Sequence, residues 1–535
     1  MVIKKTGLWF ACLVFGLLVW RCASPSNEQA EKETLVSLTL DSAQLAEAQL
    51  LASSYCAACH EWVKPEVLPK SYWEQGVLPK MGRYLGIQED PNAKVESPIA
   101  RERLAKAKLF PTAAILPLSD WQKIKAYYLS QAPTATPAES RPPIDLNLSQ
   151  FAASALPWKT PAYGPTALKI VNHNMIVVGY RVFLAGDISE QLIIINPAGQ
   201  VINHLSLPST LSDIGVQNGT LSLSLMGSFE GNDEPSGAIA SVAFGGQGIA
   251  GPLALQLEGR ERPVHTTIAD LDGDGREDLL VSEFGTELGG LNIYWNKGGS
   301  YQRFSLYNKA GTVKTIVKDA NKDGLPDIYA LTAQGNEGIL LYLNQGKGQF
   351  VAQQLLTFPP YYGSTYFELV DFDGDGLEDI LYTCGDSGDF GWPAKAFHGI
   401  RLFKQKEANV FEEEWFYPQE GTYKAMARDF DEDGDQDIVS IAFYAYHAGN
   451  PQEGFLYLEN KGNRDKEPNF KTYSFPQAAA ASWLVMDVGD LDQDGDLDVI
   501  LGANSAFLGD EKVLELLLEW QERGGAVMVL ENRAR

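Results

Sequence analysis

Hydrophobic and polar positions change their pattern several times along this chain. Lys4 and Lys5 precede an apolar run of 14 residues, Gly7 to Trp20, and a polar tether follows. The run has the length of a signal-peptide apolar core and is too short for a comfortable membrane span. The segment from about Leu45 to Gln131 reads as helical. One helix runs into Tyr55-Cys56, and a last one covers Asp120–Leu129 with Ser119 as its cap. Ala132 to Pro143 is rich in proline and small residues and reads as a semi-extended linker, loop-like to about Tyr163. From about Pro165 onward, short runs of Val, Ile, Leu, Tyr and Phe alternate with Gly, Asn and Asp turns, an all-β pattern.

The β region is a repeat. Its anchor is an acidic turn that begins at Asp270, Asp319, Asp371, Asp429 and Asp490, spaced 49, 52, 58 and 61 residues apart. Each turn is followed by an apolar strand, such as Leu279-Leu280-Val281, and then by a second strand that often ends in Asn-x-Gly. A unit of four short strands cannot bury both faces alone, but radially stacked units can. The length from 165 to the end holds about seven units. Two, near 165–208 and 209–262, lack the acidic turn. The last copy stops at Val527-Met528-Val529-Leu530, so a strand from the other end should close the ring, expected between Leu168 and Phe183. The pattern resembles FG-GAP and VCBS repeats, the blades of integrin-type β-propellers.

The turns have the form Asp-x-Asp-x-Asp-Gly-x-x-Asp. Positions 1, 3, 5 and 9 supply oxygen ligands, position 7 a carbonyl, and the glycine at position 6 the sharp bend. Hard oxygens in a flexible loop select Ca²⁺. The candidate ligands of the first loop are Asp270, Asp272, Asp274 and Asp278, and of the second Asp319, Asn321, Asp323 and Asp327. Those of the third are Asp371, Asp373, Asp375 and Asp379, and of the fourth Asp429, Asp431, Asp433 and Asp437. The fifth has Asp490, Asp492, Asp494 and Asp498. An EF-hand would need a glutamate at position 12 and flanking helices. Position 12 is Val281, Ala330, Tyr382, Ser440 and Leu501, so no copy fits. A turn held by Asx hydrogen bonds alone is the plainer alternative. The second loop, with Asn321, should be the weakest site. Structural pinning suits these ions better than catalysis.

Composition sharpens this picture. The chain has 535 residues and a formal charge of −26, which argues against a nucleic-acid partner. Of five cysteines, Cys12 lies in the apolar run and Cys22 two residues after its end. The run followed by Cys22 resembles a bacterial lipoprotein signal, in which that cysteine is lipidated. Trp20 and Arg21 depart from the small residues that family prefers. Cys384, alone in the β region, reads as a small buried hydrophobe.

Cys56-Ala57-Ala58-Cys59-His60 carries the remaining chemistry. C-x-x-C-H is the attachment signal for c-type haem, with two thiols one helical turn apart and an imidazole for one axial position. A zinc site would need a second ligand pair, and His60 is the only histidine before His173. Met81, between Pro79 and Gly82, offers a thioether from what reads as irregular backbone, with a core filler as the alternative. From Leu45 to Gln131 the segment resembles a class I cytochrome c domain. That resemblance implies covalent haem on Cys56 and Cys59, His60 and Met81 as axial ligands, and export from the cytoplasm.

The chain thus divides into a lipoprotein-like signal (1–22), a tether (23–44), a cytochrome c haem domain (45–131), a Pro-rich linker (132–160) and a propeller (161–535). The fold expected is a small all-α domain followed by an all-β, seven-bladed propeller. The function expected is single-electron transfer by a membrane-tethered, extracytoplasmic cytochrome, with a redox partner protein and the propeller as docking module. A glycan- or protein-binding adhesion propeller with an accessory haem is the alternative. A quinoprotein dehydrogenase is disfavoured, since neither a tryptophan-docking repeat nor adjacent cysteines are present. His398 and His447 lie in long excursions, Gly385–Gly399 and Tyr444–Gly454, which are candidate partner surfaces.

Overall fold

The computed structural model describes residues 40–88, 96–135, 141–156, 163–184, 187–246, 248–388, 395–447, 449–464, 467–504 and 527–534. The signal run, Cys22 and most of the tether lie outside them, as do parts of the two long excursions. No helix among the described residues is long and apolar enough to cross a membrane.

Seven antiparallel sheets make up the β region, each with four strands in radial order; one carries an additional two-residue strand. They form a seven-bladed β-propeller. The innermost strands are Tyr163–Asn172, Leu211–Gln217, Pro263–Ala269, Thr312–Lys318, Ser364–Val370, Thr422–Arg428 and Trp483–Gly489. Burial follows from radial position. The second strands Asp278–Glu283, Asp327–Thr332, Asp379–Cys384 and Asp437–Ala442 are buried along their whole length, because both faces meet a neighbouring blade. The outermost strands, such as Tyr301–Tyr307, face water. The cores lie between blades: Tyr329, Leu331 and Leu341 of the fourth pack on Phe367, Tyr382 and Phe403 of the fifth. Each such side chain contributes about 1.5–3 kcal/mol through burial.

Ring closure differs from the sequence expectation. The seventh blade runs Trp483–Gly489, Asp498–Ala503, Val527–Asn532, and its outermost strand is Phe151–Ala155. Phe151 pairs with Asn532 and Ala155 with Met528. Phe151 also stacks edge-on against Phe430 and Tyr457. Leu168 to Phe183, expected to close the ring, instead lies in the first two strands of the first blade. The expected linker is correspondingly shorter. Asp145 already bridges to Tyr473, and the propeller begins before residue 161.

The helical region begins with Ser42–Cys56. Its cap is Asp41, whose carboxylate accepts the Ala43 and Gln44 N–H groups while Gln44 answers in a capping box. It packs on the last helix, Leu118–Gln131, around Ala48, Ala52, Trp121, Ile124 and Tyr128. That last helix starts earlier than expected. Pro117, not Ser119, occupies its cap position, and no side chain caps it. The region rests on the propeller. Arg103 pairs with Glu261, and Tyr84 hydrogen-bonds Glu287. Phe397 of the fifth blade packs against the helical core. Glu261 precedes an innermost strand and Glu287 follows a second strand, so this contact is on the face opposite the acidic turns.

Candidate functional site

Each acidic turn joins an innermost strand to the second strand of its blade, so strands flank every copy. The first aspartate holds the bend: Asp270, Asp319, Asp371 and Asp429 each accept the N–H of the position-6 glycine at 2.8–3.1 Å. Glycine is required there, since Gly275, Gly324, Gly376 and Gly434 all have positive φ between 84° and 99°. The ninth residue is a clasp. One oxygen of Asp379 accepts the Phe372 N–H at 3.2 Å and the other the Gln405 N–H at 2.9 Å, tying the turn to the third strand. Asp278, Asp327, Asp437 and Asp498 repeat this arrangement.

Asx bonds therefore exist, yet they leave oxygen atoms unused. Ligand atoms of Asp270, Asp272 and Asp278 lie within 4.8 Å of one another, as do those of Asp371, Asp373 and Asp375. Asp429, Asp431 and Asp433 converge likewise, and so do Asp490, Asp492 and Asp498. Asp371 Oδ1 and Asp429 Oδ1 are buried with no hydrogen-bond partner. A buried carboxylate oxygen without a donor is costly, and a hard cation is the partner that fits. Burial pushes Asp379 and Asp498 up to about 6 and Asp437 up to about 7. Crowded carboxylates hold protons when no cation is there to neutralise them.

The second loop departs from the others. Asn321 Nδ2 donates to Asp323 Oδ2 at 2.9 Å, so two of its ligand groups satisfy each other. Asp375→Ala is accordingly expected to lower calcium affinity and thermal stability more than Asn321→Ala, by about 1–3 kcal/mol. Titration calorimetry on the two variants measures the difference. Asp435, at position 7 of the fourth loop, is an addition to the sequence-derived ligands. Its Oδ1 is buried without a partner, and burial followed by the charge of Asp433 pushes its carboxyl up to about 6.

In the helical region, Cys56 is the last residue of its helix and half-buried, and Cys59 is exposed; neither is in a disulfide. Burial raises the Cys56 thiol, with Tyr128 beside it acting in the opposite sense. His60 Nδ1 donates to the Glu61 carbonyl at 2.7 Å, which leaves Nε2 as the ligating nitrogen. The donor set thus suits a covalently held haem: two free thiols and an imidazole with its lone pair at Nε2. His60 stands near the propeller, since a Cβ on Gly335 would come within 3.7 Å of its Cδ2. Met81 is not on irregular backbone. It lies in the helix Leu78–Tyr84, half-buried. The flanking residues explain why: Pro79 follows directly on the π-helical turn Trp73–Val77, where the i→i−4 ladder is already interrupted, and Gly82 permits close contact with the Trp121 ring.

Cys384 is fully buried at the end of a strand, with Arg401 Nη1 at 3.0 Å from its sulfur. His398 and His447 are buried rather than exposed. His398 Nδ1 is 2.8 Å from Glu420 Oε1, and His447 Nε2 is 3.2 Å from Ser482 Oγ.

Comparison with known proteins agrees with the β architecture. A family model described as FG-GAP-like repeat matches residues 270–330, 319–382 and 429–501. The chain therefore carries FG-GAP-like repeats on a seven-bladed propeller, an architecture that suggests a docking or interaction module. No curated protein matches the sequence. Among solved structures, one chain of a complex of Saccharomyces cerevisiae Dbp5 bound to Nup159 and Gle1 matches at 8% identity and TM-score 0.40, covering 73% of this chain and 97% of the other. Saccharomyces cerevisiae Sqt1 matches at 10% identity and TM-score 0.39, covering 70% and 97%. YCF48 from Cyanidioschyzon merolae matches at 9% identity and TM-score 0.38, covering 71% and 98%. The blade count rests on the strand pairing, not on these overlays.

Proposed function

We propose that the protein is an exported, membrane-tethered c-type cytochrome that transfers single electrons, its calcium-pinned propeller serving as the docking module for a redox partner. The observation that carries this reading is Cys56-x-x-Cys59-His60 at the end of a capped helix packed against a C-terminal helix. Cys56 and Cys59 would hold haem through thioether bonds, with His60 Nε2 and Met81 as its iron ligands. The group supplies one-electron redox chemistry. The chain's own part is to anchor it, to orient the imidazole through the Glu61 carbonyl, and to wall it with Trp62, Tyr127 and Tyr128. The acidic loops would hold up to five Ca²⁺ ions.

Denatured protein from the extracytoplasmic fraction tests the attachment. It should retain a haem spectrum after acid–acetone extraction, and Cys56→Ala with Cys59→Ala should abolish it. A wild-type chain that gives up its haem to extraction sinks the reading. Anchoring rests on Cys22 after the apolar run. Cys22→Ala should move the protein from the membrane pellet to the soluble fraction. Retention in the pellet would point to an uncleaved anchor, consistent with Arg21 before the cysteine.

A further inference from the structure

The propeller axis carries a set of charges that neither the calcium loops nor the haem segment uses. In all seven innermost strands the pairing register shifts near the start, a β-bulge that lets one extra residue turn. Bulges re-aim side chains and cluster beside functional sites. The residues directly after the bulge are Asp213, His265, Lys314, Tyr366 and Lys424 in the second to sixth blades. Ala167 and Val485 complete the ring. Lys314, Tyr366 and Lys424 come together there. Asp213 acts electrostatically on Lys424, which lies four blades further along the chain. Lys314 Nζ lies 3.7 Å from the centre of the Tyr366 ring, and Lys424 Nζ lies 5.2 Å from the same point.

The charge balance here is incomplete. Two residues further along the strands, Glu368 is held by Arg428 at 3.3 Å and Asp487 by Lys169 at 3.1 Å. Asp213 accepts only the Thr266 N–H, at 3.1 Å. Among the described residues, neither Lys314 nor Lys424 has a carboxylate within ion-pairing distance. Lys424 gives one hydrogen bond to the Met486 carbonyl at 2.8 Å, and Lys314 has only the ring. Four cations, Lys169, Lys314, Lys424 and Arg428, thus stand against three carboxylates, Asp213, Glu368 and Asp487, along the half-buried axis of a chain whose net charge is −26. Buried excess charge is costly unless it is paired or discharged.

We infer that the axial channel binds a small oxyanion between the ammonium groups of Lys314 and Lys424, over the ring of Tyr366. The oxyanion neutralises the surplus and accepts the N–H donors that the protein leaves unused. Proton loss is the competing route to neutrality. Burial, followed by the charge of Lys424, brings Lys314 down to about 7, against the opposing pull of Glu368 and Asp213. Lys424 is lowered by burial as well, with Asp487 acting against that. Burial likewise keeps His265 neutral, so it adds no charge. An anion and a proton on Lys314 therefore bind together, and affinity falls as pH rises. This site is independent of the haem and calcium assignments.

Titration calorimetry of the full-length protein with sulfate, at fixed ionic strength in chloride, tests the inference; acetate is the second probe and separates a tetrahedral anion from a carboxylate. One saturable site is expected, weakening about tenfold between roughly pH 6.5 and pH 8.5, where sulfate keeps its charge. Lys314→Met and Lys424→Met should each weaken it by at least about tenfold, while Lys314→Arg keeps it within about threefold. The arginine variant separates loss of charge from loss of fold. Absence of saturable binding by either probe to the wild type, or equal binding by all variants, overturns the site.

Discussion

Removing Ca²⁺ from the full-length protein is expected to lower its melting temperature by roughly 10–20 °C at neutral pH. One site at 100 times its Kd contributes about 2.7 kcal/mol, and four loops show converging ligand atoms. For a propeller of this size, each kcal/mol moves the midpoint by about 1–2 °C. The pH dependence gives a sharper signature. In chelated protein Asp379, Asp437 and Asp498 titrate near 6, 7 and 6, above the ordinary aspartate value. Between those values and about 4 the folded chain binds more protons than the unfolded chain, so stability falls as pH rises through that window. Ca²⁺ competes with those protons. The chelated protein should therefore melt lower at about pH 8 than at about pH 5, and the increment gained on adding Ca²⁺ should grow with pH. Scanning calorimetry at both pH values, with metal removal verified, measures it. An unchanged melt on chelation removes the structural-calcium reading, and an increment that does not grow with pH means that these carboxylates are not the ligands.

The acidic repeat made five blades legible at once, because every copy carries its own turn, its own glycine bend and its own buried strand. The two blades without acidic turns were also readable, since the period fits between Pro165 and Asp270. Ring closure was not. Phe151-Ala152-Ala153-Ser154-Ala155 has weak alternation, and its partner Val527–Asn532 lies at the far end of the chain. Nothing local marks such a pairing. The linker reading followed from the same proline and alanine content, which is compatible with an edge strand as well as with a tether. Around Met81, Pro79 and Gly82 read as breakers, but one follows a π-helical turn that interrupts the ladder ahead of it and the other makes room for Trp121. The axial residues were hidden for another reason. His265, Lys314, Tyr366 and Lys424 each stand five positions before the first aspartate of a loop. In sequence they look like the solvated face of an alternating strand, and only radial symmetry turns them towards one another.

If the chain carries haem as proposed, Met81→Ala should abolish the weak near-infrared absorption of a sulfur–iron bond in the oxidised protein and shift the reduction potential downward by on the order of 0.1 V, within the about 0.8 V span set by axial ligands. Met81 is the only methionine and His60 the only histidine of the helical region. Met81 is half-buried in the helix Leu78–Tyr84, whose Leu78 shares a core with Cys56 and Tyr128. A second imidazole would have to come from the propeller, where His398 is already engaged by Glu420 and His447 is beside Ser482. Thioether ligation favours the reduced iron relative to a second imidazole, so its loss lowers the potential, and a six-coordinate centre in both states suits electron exchange. On the proposed attachment Cys56 and Cys59 would still hold the group in the variant, so total haem content should be unchanged. The comparison variant His60→Ala removes the proximal ligand, and its spectrum should change in both oxidation states. If the wild type lacks the near-infrared band, or Met81→Ala keeps it, Met81 is a packing residue of its helix. The carrier reading then gives way to an open haem position facing ligands.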